Sequence, residues 1–290
     1  MKYKFRDVRF RADSLERIEQ CNEIIADYQA QGLRLTLRQL YYQLVARNVI
    51  SNTEKSYKNL STLVSDARLA GKMDWNAIED RVRVPRMTSE WGSVAELVET
   101  ALDAYRRPRW AGQRDYVELW VEKDALAGVL LPIARKHHIV LMVNRGYSSQ
   151  SAMYESALRF ADRRPFIERH LLYLGDHDPS GEDMVRDIRD RLLMFGQRVD
   201  VKKVALTMSQ IRKYKPPPNP AKVSDPRAKA YIEEHGDESW EVDALPPEVL
   251  TRIIEKEIAK LVDVEKMAEV IEEEERDKVE LRRLVDAAGL

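Results

Sequence analysis

Cysteine is nearly absent from this sequence, and its scarcity excludes two kinds of structure. Cys21 is the only cysteine among 290 residues, so the chain can form neither an internal disulfide framework nor a metal site built from several thiolates. Long apolar runs are absent too. The longest hydrophobic stretches have the length of a strand, and nothing near residue 1 resembles a signal peptide. These absences predict a cytoplasmic protein without a membrane partner.

Net charge is also close to zero, so the overall composition does not by itself indicate a polyanionic partner. Hydrophobic residues make up 44% and charged residues 33% of the chain, which is typical of a globular protein with a heavily charged surface. The charge is uneven: residues 1–110 contain 19 Lys and Arg against 15 Asp and Glu, and the remainder is acidic. The length favours two domains. This difference in charge suits a first domain that binds nucleic acid and a second domain that holds a metal ion.

Three amphipathic helices are predicted in the first third of the chain. Apolar residues recur at helical spacing from Ala12 to Ala30, and Gly32 supplies a stop signal. Thr36 is a candidate N-cap for a second helix, "LRQLYYQLVA". A third helix is expected from Lys55 to Ala70, followed by an extended Arg-rich segment. Three helices and a basic arm are the outline of a winged helix-turn-helix.

The pattern changes after Pro108 and Gly112, where we place a boundary between residues 1–112 and residues 113–290. Strand and helix patterns then alternate, which predicts an α/β domain with a mostly parallel sheet covered on both faces. A Pro-rich stretch, "KYKPPPNPAKVSDPRAK", is predicted to be an ordered arm, and helices follow it to the C-terminal end. Strands are expected at Tyr116–Val121, Ile139–Val143, His170–Leu174 and Val201–Leu206.

Two acids stand one residue apart where the third of these strands ends. Asp176 and Asp178 would point to the same side if the strand persisted to this tip, and Glu122 ends the first strand. Gly175 and Gly181 would permit close approach of the backbone at the turn. A group of carboxylates without cysteine suits a hard cation such as Mg²⁺. The alternative is that Asp178 only caps the next helix while Asp176 is solvated.

Three segments, "VELWVEKDALAGVL", "LMVNRGYSSQSAM" and "LLYLGDHDPSGEDM", together resemble a Toprim domain. The version they resemble is that of the topoisomerase VI A subunit and its relative, the meiotic double-strand-break transesterase. The resemblance covers roughly residues 35–206 and implies a CAP-like winged-helix domain followed by the Toprim domain. It also implies that Glu122, Asp176 and Asp178 bind Mg²⁺, with Mn²⁺ as a possible substitute, and that Glu122 acts in catalysis. The chain is shorter than most members and resembles the compact stand-alone relatives called mini-A.

The same family carries a catalytic tyrosine as the second member of an aromatic pair, and "TLRQLYYQL" resembles that motif. The resemblance implies that Tyr42 is the nucleophile. The helical pattern places Tyr41 in the apolar stripe and turns Tyr42 about 100° away from it, so Tyr42 is expected to be free. Arg38, one turn earlier, would favour the phenolate or bind the scissile phosphate. Without the resemblance, the pattern favours a surface or edge tyrosine with a bonded hydroxyl.

The activity implied is Mg²⁺-dependent cleavage of double-stranded DNA by tyrosine transesterification, as in a type IIB topoisomerase, which leaves 5′-phosphotyrosyl ends. Because the tyrosine of one protomer meets the metal site of the other in that family, a homodimer is implied. The chain has no P-loop, so an ATPase would be a separate subunit. A cytoplasmic, nucleoid-associated location is expected.

Two alternatives remain open at this point. One is a Toprim-type nuclease in which water attacks and Tyr42 only positions DNA, and the other is a non-catalytic winged-helix DNA-binding protein. The acids of "SWEVDALPP" are predicted to be structural, although one of them could supply a further carboxylate to the metal site. The basic residues expected to contact DNA are Lys55, Lys58, Arg68, Lys72, Arg81, Arg83, Arg86 and Arg145.

Overall fold

A computed structural model describes residues 2–79, 88–144, 146–162 and 167–287. Within these ranges the chain is mixed α/β, with a four-stranded parallel sheet and many helices. The predicted α/β class is therefore confirmed at this coarse level. The basic arm expected after the third helix lies outside the described residues, and so do four of the cations expected to contact DNA, Arg81, Arg83, Arg86 and Arg145.

The three helices predicted near the start of the chain are present and pack around one apolar core. Thr36 caps the second of them as predicted: its hydroxyl accepts the N–H of Gln39, whose side chain accepts the N–H of Thr36 in return. Ala244, from a distant part of the chain, completes this core. The first helices are α1 (Ala12–Ala30), α2 (Leu37–Ala46), α3 (Glu54–Leu69) and α4 (Val94–Ala104).

The parallel sheet has the strand order β2-β1-β3-β4, and the four predicted strands are confirmed to within two residues. Its two central strands are buried on both faces, which explains why they contain nearly continuous apolar runs. Val121 pairs with Leu174, so the two central strands end at the same edge. The strands are β1 (Asp115–Val121), β2 (Val140–Val143), β3 (Glu168–Leu174) and β4 (Asp200–Ala205).

Helices cover both faces of the sheet, because successive strand residues point to opposite sides. Val117 and Leu119 face a core shared with α5 (Ala127–His137) and α10 (Pro247–Ile258), whereas Tyr116 and Trp120 face a core shared with α6 (Gln150–Ala161) and α7 (Pro179–Met194). Two short helices lie between α7 and α10 in the chain: α8 (Met208–Tyr214) and α9 (Ala228–His235).

The Pro-rich stretch is ordered, as expected. It contains β5 (Asn219–Pro220), which pairs antiparallel with β6 (Glu238–Ser239). The last helix of the described ranges is α11 (Val264–Ala287), which packs on α4 and is fixed to the segment after α4 by ion pairs such as Arg109 to the buried Glu274, 2.8 Å apart. None of the helices within the described ranges is long and apolar enough to cross a bilayer.

Candidate active site at the carboxyl edge of the sheet

The carboxyl ends of β1 and β3 meet at one edge of the sheet, where Glu122, Lys123 and Asp176 lie. Strand alternation continues beyond β1, so Glu122 is on the side of Tyr173 while Lys123 is on the opposite side. The contacts agree with this: the Tyr173 hydroxyl lies 3.5 Å from Glu122, and Lys123 Nζ lies 2.8 Å from Asp176 Oδ2. The edge therefore presents an acid on one face and a lysine–aspartate pair on the other.

Asp176 is buried and has a donor on each carboxylate oxygen. Oδ1 accepts the backbone N–H of Val242 at 2.9 Å, and Oδ2 faces Lys123. Its own N–H donates to Glu122 at 3.1 Å. Burial raises the pKa of Asp176 to about 7, with the charges of Glu122 and Asp243 adding to the rise and that of Lys123 opposing it. Asp176 is thus held by protein groups and is not solvated.

Asp178 caps α7 instead of joining Asp176. Its Oδ1 accepts the N–H of Gly181 at 2.6 Å and the hydroxyl of Ser180 at 2.9 Å. The expectation that the strand persists through both acids is wrong, because β3 ends at Leu174 and Asp178 has already turned into the N-cap. The helix-capping alternative describes Asp178 correctly.

The predicted close approach at the two glycines is confirmed. A Cβ built on Gly181 would lie 2.1 Å from the carbonyl oxygen of Asp176, and one on Gly175 would lie 2.5 Å from the ring of Tyr173. Atoms at such distances overlap, so only glycine fits at either position without a shift of the surrounding structure. These contacts fix the turn that carries the two acids.

The predicted metal ligands converge only loosely. Burial, followed by the charges of Glu122, Asp176 and Asp178, raises the pKa of Tyr173, so all three acids lie within electrostatic reach of one phenol. However, across the described ranges no three His, Cys, Asp or Glu side chains are grouped so that they could hold a metal ion. Each predicted ligand already accepts a hydrogen bond or ion pair from the protein. In this arrangement the three acids do not fit a Mg²⁺ site.

A lysine occupies the centre of the acidic cluster. The ammonium of Lys123 lies 2.8 Å from Asp176, 2.7 Å from Glu241 and 3.3 Å from Asp243. Burial acts to lower the pKa of Lys123, but the surrounding carboxylates outweigh it and raise that pKa. Sequence reasoning missed this residue, although its position directly after Glu122 at the end of a strand was a usable signal.

Glu241 and Asp243 reach the site because their segment is held beside the strand edge. His177 and Trp240 form an antiparallel bridge, with each backbone N–H donating to the carbonyl of the other at 2.8 and 3.0 Å. These acids form ion pairs with Lys123 and Arg38, which agrees with the structural role expected of them. Glu241 and Asp243 are thus the further carboxylates that this segment supplies, but they bind Lys123 and do not form a metal site.

Helix α2 contributes Arg38 and Tyr42 to the same cluster. Arg38 Nη2 donates to the Tyr42 hydroxyl at 3.3 Å, as the one-turn spacing predicted. The same guanidinium binds Asp243 through Nε at 3.1 Å and contacts Glu241 through Nη2. A chain of contacts thus runs from the phenol through Arg38 and Glu241 to Lys123 and the end of β1.

Tyr42 is 5% exposed, so the expectation that it lies free of the apolar stripe is wrong. The segment around Ala244 packs on α2, and the ring meets that of Tyr41 edge to face at 5.2 Å. Burial, together with the charge of Glu241 and a hydrogen bond to it, raises the pKa of the Tyr42 phenol, while Arg38 acts in the opposite direction. The phenol is protonated at neutral pH. It still lines a cleft of about 260 Å³.

The described cations expected to contact DNA lie on or just after α3. Lys55, Lys58 and Lys72 are exposed, and Lys58 pairs with Glu54 on the same helix at 2.6 Å. Arg68 is half-buried: its guanidinium covers the ring of Trp75 at 4.5 Å and donates to the Trp75 carbonyl at 2.9 Å. The three lysines present charge to solvent, whereas Arg68 also has a packing role.

Neither models of known protein families nor the sequences of curated proteins give a match to this chain.

Proposed function

We propose that the chain is a DNA-cleaving transesterase of the topoisomerase VI A type. In this proposal α1 to α3 belong to a winged-helix domain and the parallel sheet belongs to a Toprim domain. The observation that supports it most is the chain of contacts from Tyr42 through Arg38 and Glu241 to Lys123. Ligands of parallel α/β sheets bind at the carboxyl ends of the strands. A phosphodiester bound at this edge would therefore lie close to a phenol and a guanidinium.

The chemistry needs a nucleophile, a proton acceptor and a group that holds the phosphate. The Tyr42 oxygen would attack phosphorus, forming a phosphotyrosyl bond as the bond to the 3′ oxygen breaks, and the 3′ oxygen would take a proton from water as it leaves. Glu241 is hydrogen-bonded to the phenol and would accept its proton. Arg38 would hold the phosphate, because its planar donors match phosphate oxygens.

The arrangement described above is a resting state for this reaction. Burial acts to raise the pKa of Glu241, but the charges of Lys123 and Arg38 outweigh it and hold that pKa at about 2, so the carboxylate is a weak base. A DNA phosphate carries the same charge as Glu241 and could replace it on Arg38. Once released from Arg38, Glu241 would become a stronger base, and the bound phosphate would lie next to the phenol.

Mg²⁺, with Mn²⁺ as a substitute, belongs to this proposal as the cofactor of a rearranged site. Glu122, Asp176 and Asp178 would have to move before they could hold it, and no step of the reaction given above depends on it. In the resting arrangement Lys123 supplies positive charge next to Asp176. The proposal also includes double-stranded DNA as substrate, a homodimer, and any ATPase on a separate chain.

One alternative gains support from the burial of Tyr42. A Toprim-type nuclease that activates water would not need the Tyr42 oxygen to reach phosphorus, and Tyr42 would then only position DNA from the cleft that it lines. Such an enzyme would cut DNA without becoming attached to it.

Trapping a protein–DNA adduct tests the proposal. Supercoiled DNA is incubated with the protein and Mg²⁺, the reaction is stopped with denaturant, and protein-linked DNA is measured. We expect an adduct with the wild type and none with Tyr42→Phe. The matched control is Tyr41→Phe, which removes the neighbouring hydroxyl that donates to Asn52 at 2.9 Å and should keep the adduct. Cutting by Tyr42→Phe without an adduct would instead support the nuclease, and no cutting with either metal would support a non-catalytic protein.

A further inference from the structure

The arm formed by residues 2–11, "KYKFRDVRFR", combines cations with aromatic rings outside the site described above. It contains five Lys and Arg, three aromatic residues and a single acid, Asp7. Its side chains are exposed from residue 2 to residue 7 and again at Arg9 and Arg11. Lys4 and Asp7 pair at 2.5 Å, but both are well exposed, so this pair is weak. The arm therefore offers positive charge to solvent.

The backbone of the arm is fixed against the end of α3. The N–H groups of Phe5 and Arg6 both donate to the carbonyl of Leu69, at 2.8 and 3.0 Å, and the indole N–H of Trp75 donates to the carbonyl of Tyr3 at 3.2 Å. Lys4 also forms an antiparallel bridge with Ala70. The exposed side chains are thus displayed from an ordered backbone.

Two aromatic rings of the arm are exposed to an extent that core packing does not explain. Phe5 is 70% and Tyr3 is 55% exposed. Leaving large apolar side chains in water costs free energy that burial would recover. The Phe5 ring meets Trp75 edge to face at 5.4 Å, and Arg68 covers Trp75. The result is a surface of aromatic faces surrounded by cations.

Two clefts share Arg38 as a lining residue, and one of them is lined by residues of this surface while the other is lined by Tyr42. A groove of about 560 Å³ is lined by Trp75 and Arg68 and also by Arg38. The cleft of about 260 Å³ is lined by Arg38 and Tyr42. Since Arg38 borders both, a strand that lies on the arm could continue along the groove to the candidate nucleophile.

We propose that the arm binds an unpaired nucleic-acid strand next to Tyr42. Lys2, Lys4 and Arg9 would contact phosphates, and the rings of Tyr3 and Phe5 would stack on bases, as in other proteins that bind single strands. A duplex could use the cations but not the rings, because its base faces are already stacked. The inference rests on the proposed function in taking DNA as the ligand and Tyr42 as the residue that the strand reaches.

Binding measured without cleavage tests this role. All protein variants carry Tyr42→Phe, and no metal is added to the assay. Fluorescence anisotropy measures binding of a labelled oligothymidine of about 20 nucleotides, which is longer than one binding site of this kind. Binding of a labelled duplex of equal length is measured in the same way. We expect the Tyr3→Ala, Phe5→Ala double variant to bind the single strand roughly fivefold or more weakly and to bind the duplex as before. The matched control is Tyr154→Ala on α6, which removes a tyrosine of similar exposure, 51%, and should change neither affinity.

A second variant tests the cations. Lys2→Gln, Lys4→Gln and Arg9→Gln together should reduce the slope of log affinity against log salt for the single strand by about two, since each phosphate contact contributes about 0.7. Circular dichroism and thermal melting establish that each variant is folded.

The proposal is overturned if the aromatic double variant binds the single strand like its parent, if Tyr154→Ala loses as much affinity, or if the salt slope is unchanged in the triple cation variant. Failure here leaves the adduct assay unaffected, and arm-dependent binding without any adduct would overturn the proposed function alone.

Discussion

Lys123 is the residue on which the acidic cluster depends most. It is largely buried and faces the carboxylates of Asp176, Glu241 and Asp243. Lys123→Met would keep most of the side-chain volume but leave these acids without their central cation. Because removing one partner of a buried ion pair is strongly destabilising, we expect the free energy of unfolding to fall by about 3–5 kcal/mol. Urea denaturation at neutral pH measures this change.

The matched control is Lys202→Met, on β4. Lys202 also forms a close ion pair, with Glu257 at 2.6 Å, but its side chain is half-exposed. Exposed pairs contribute at most about 1 kcal/mol, so this variant should remain within that limit. Equal losses in the two lysine variants would show that burial of the charge cluster is not what makes Lys123 important.

Asp176 gives the cluster a pH dependence whose sign follows from its raised pKa. Burial raises the pKa of this carboxyl to about 7, above its unfolded value of about 4. The folded chain therefore binds the proton more tightly than the unfolded chain, and the stability contributed by protonation is lost as pH rises through about 7. Between about pH 4 and 7, the free energy of unfolding of the wild type should fall more steeply with rising pH than that of Asp176→Asn. Parallel pH profiles in chemical denaturation would contradict this.

At the scale of elements, the predictions that succeeded rest on local signals. Thr36 and Gln39 form the cap of α2 from neighbouring positions, and the apolar periodicity of the strands is contained within each segment. The failures come from long-range packing. The burial of Tyr42 depends on Glu241 and Ala244, about two hundred residues further along the chain, and no periodicity within α2 encodes a contact with them.

The turn between β3 and α7 shows the same limit on a shorter scale. The sequence pattern predicted close approach of the backbone at Gly175 and Gly181. It left two roles open for Asp178, as a metal ligand or as a helix cap. Choosing between them required the point at which β3 ends, and strand ends are set by pairing with β1 and β4. The same dependence hid the role of Lys123, because its partners belong to other elements.

Gly181 provides a test of this element. In Gly181→Ala the new methyl group would lie 2.1 Å from the carbonyl oxygen of Asp176, so the turn must shift. We expect a loss of about 1–3 kcal/mol in the free energy of unfolding, as for other overpacked sites, measured by urea denaturation. Gly92→Ala is the control, because the nearest atom there is the mobile end of Glu96 at 3.1 Å, and its stability should stay within about 0.5 kcal/mol. If both alanines are tolerated equally well, the close approach at Gly181 is not a constraint.

At the scale of the whole molecule, one chain carries one Tyr42, so cutting both strands of a duplex requires two copies. The proposed function therefore predicts a homodimer. Sedimentation equilibrium should give twice the mass of one chain, and the main product from supercoiled DNA should be linear rather than nicked. A monomer that produces only nicked circles would contradict the double-strand activity, although it would leave a single-strand transesterase possible.

The most direct test of the central claim is to identify the residue that becomes attached to DNA. The trapped adduct is digested with nuclease and protease, and fragmentation mass spectrometry distinguishes Tyr42 from Tyr41 in the same peptide. The account predicts a nucleotide joined through its 5′ phosphate to the oxygen of Tyr42. A nucleotide on any other residue, or DNA cut by the wild type with no modified peptide, would contradict it.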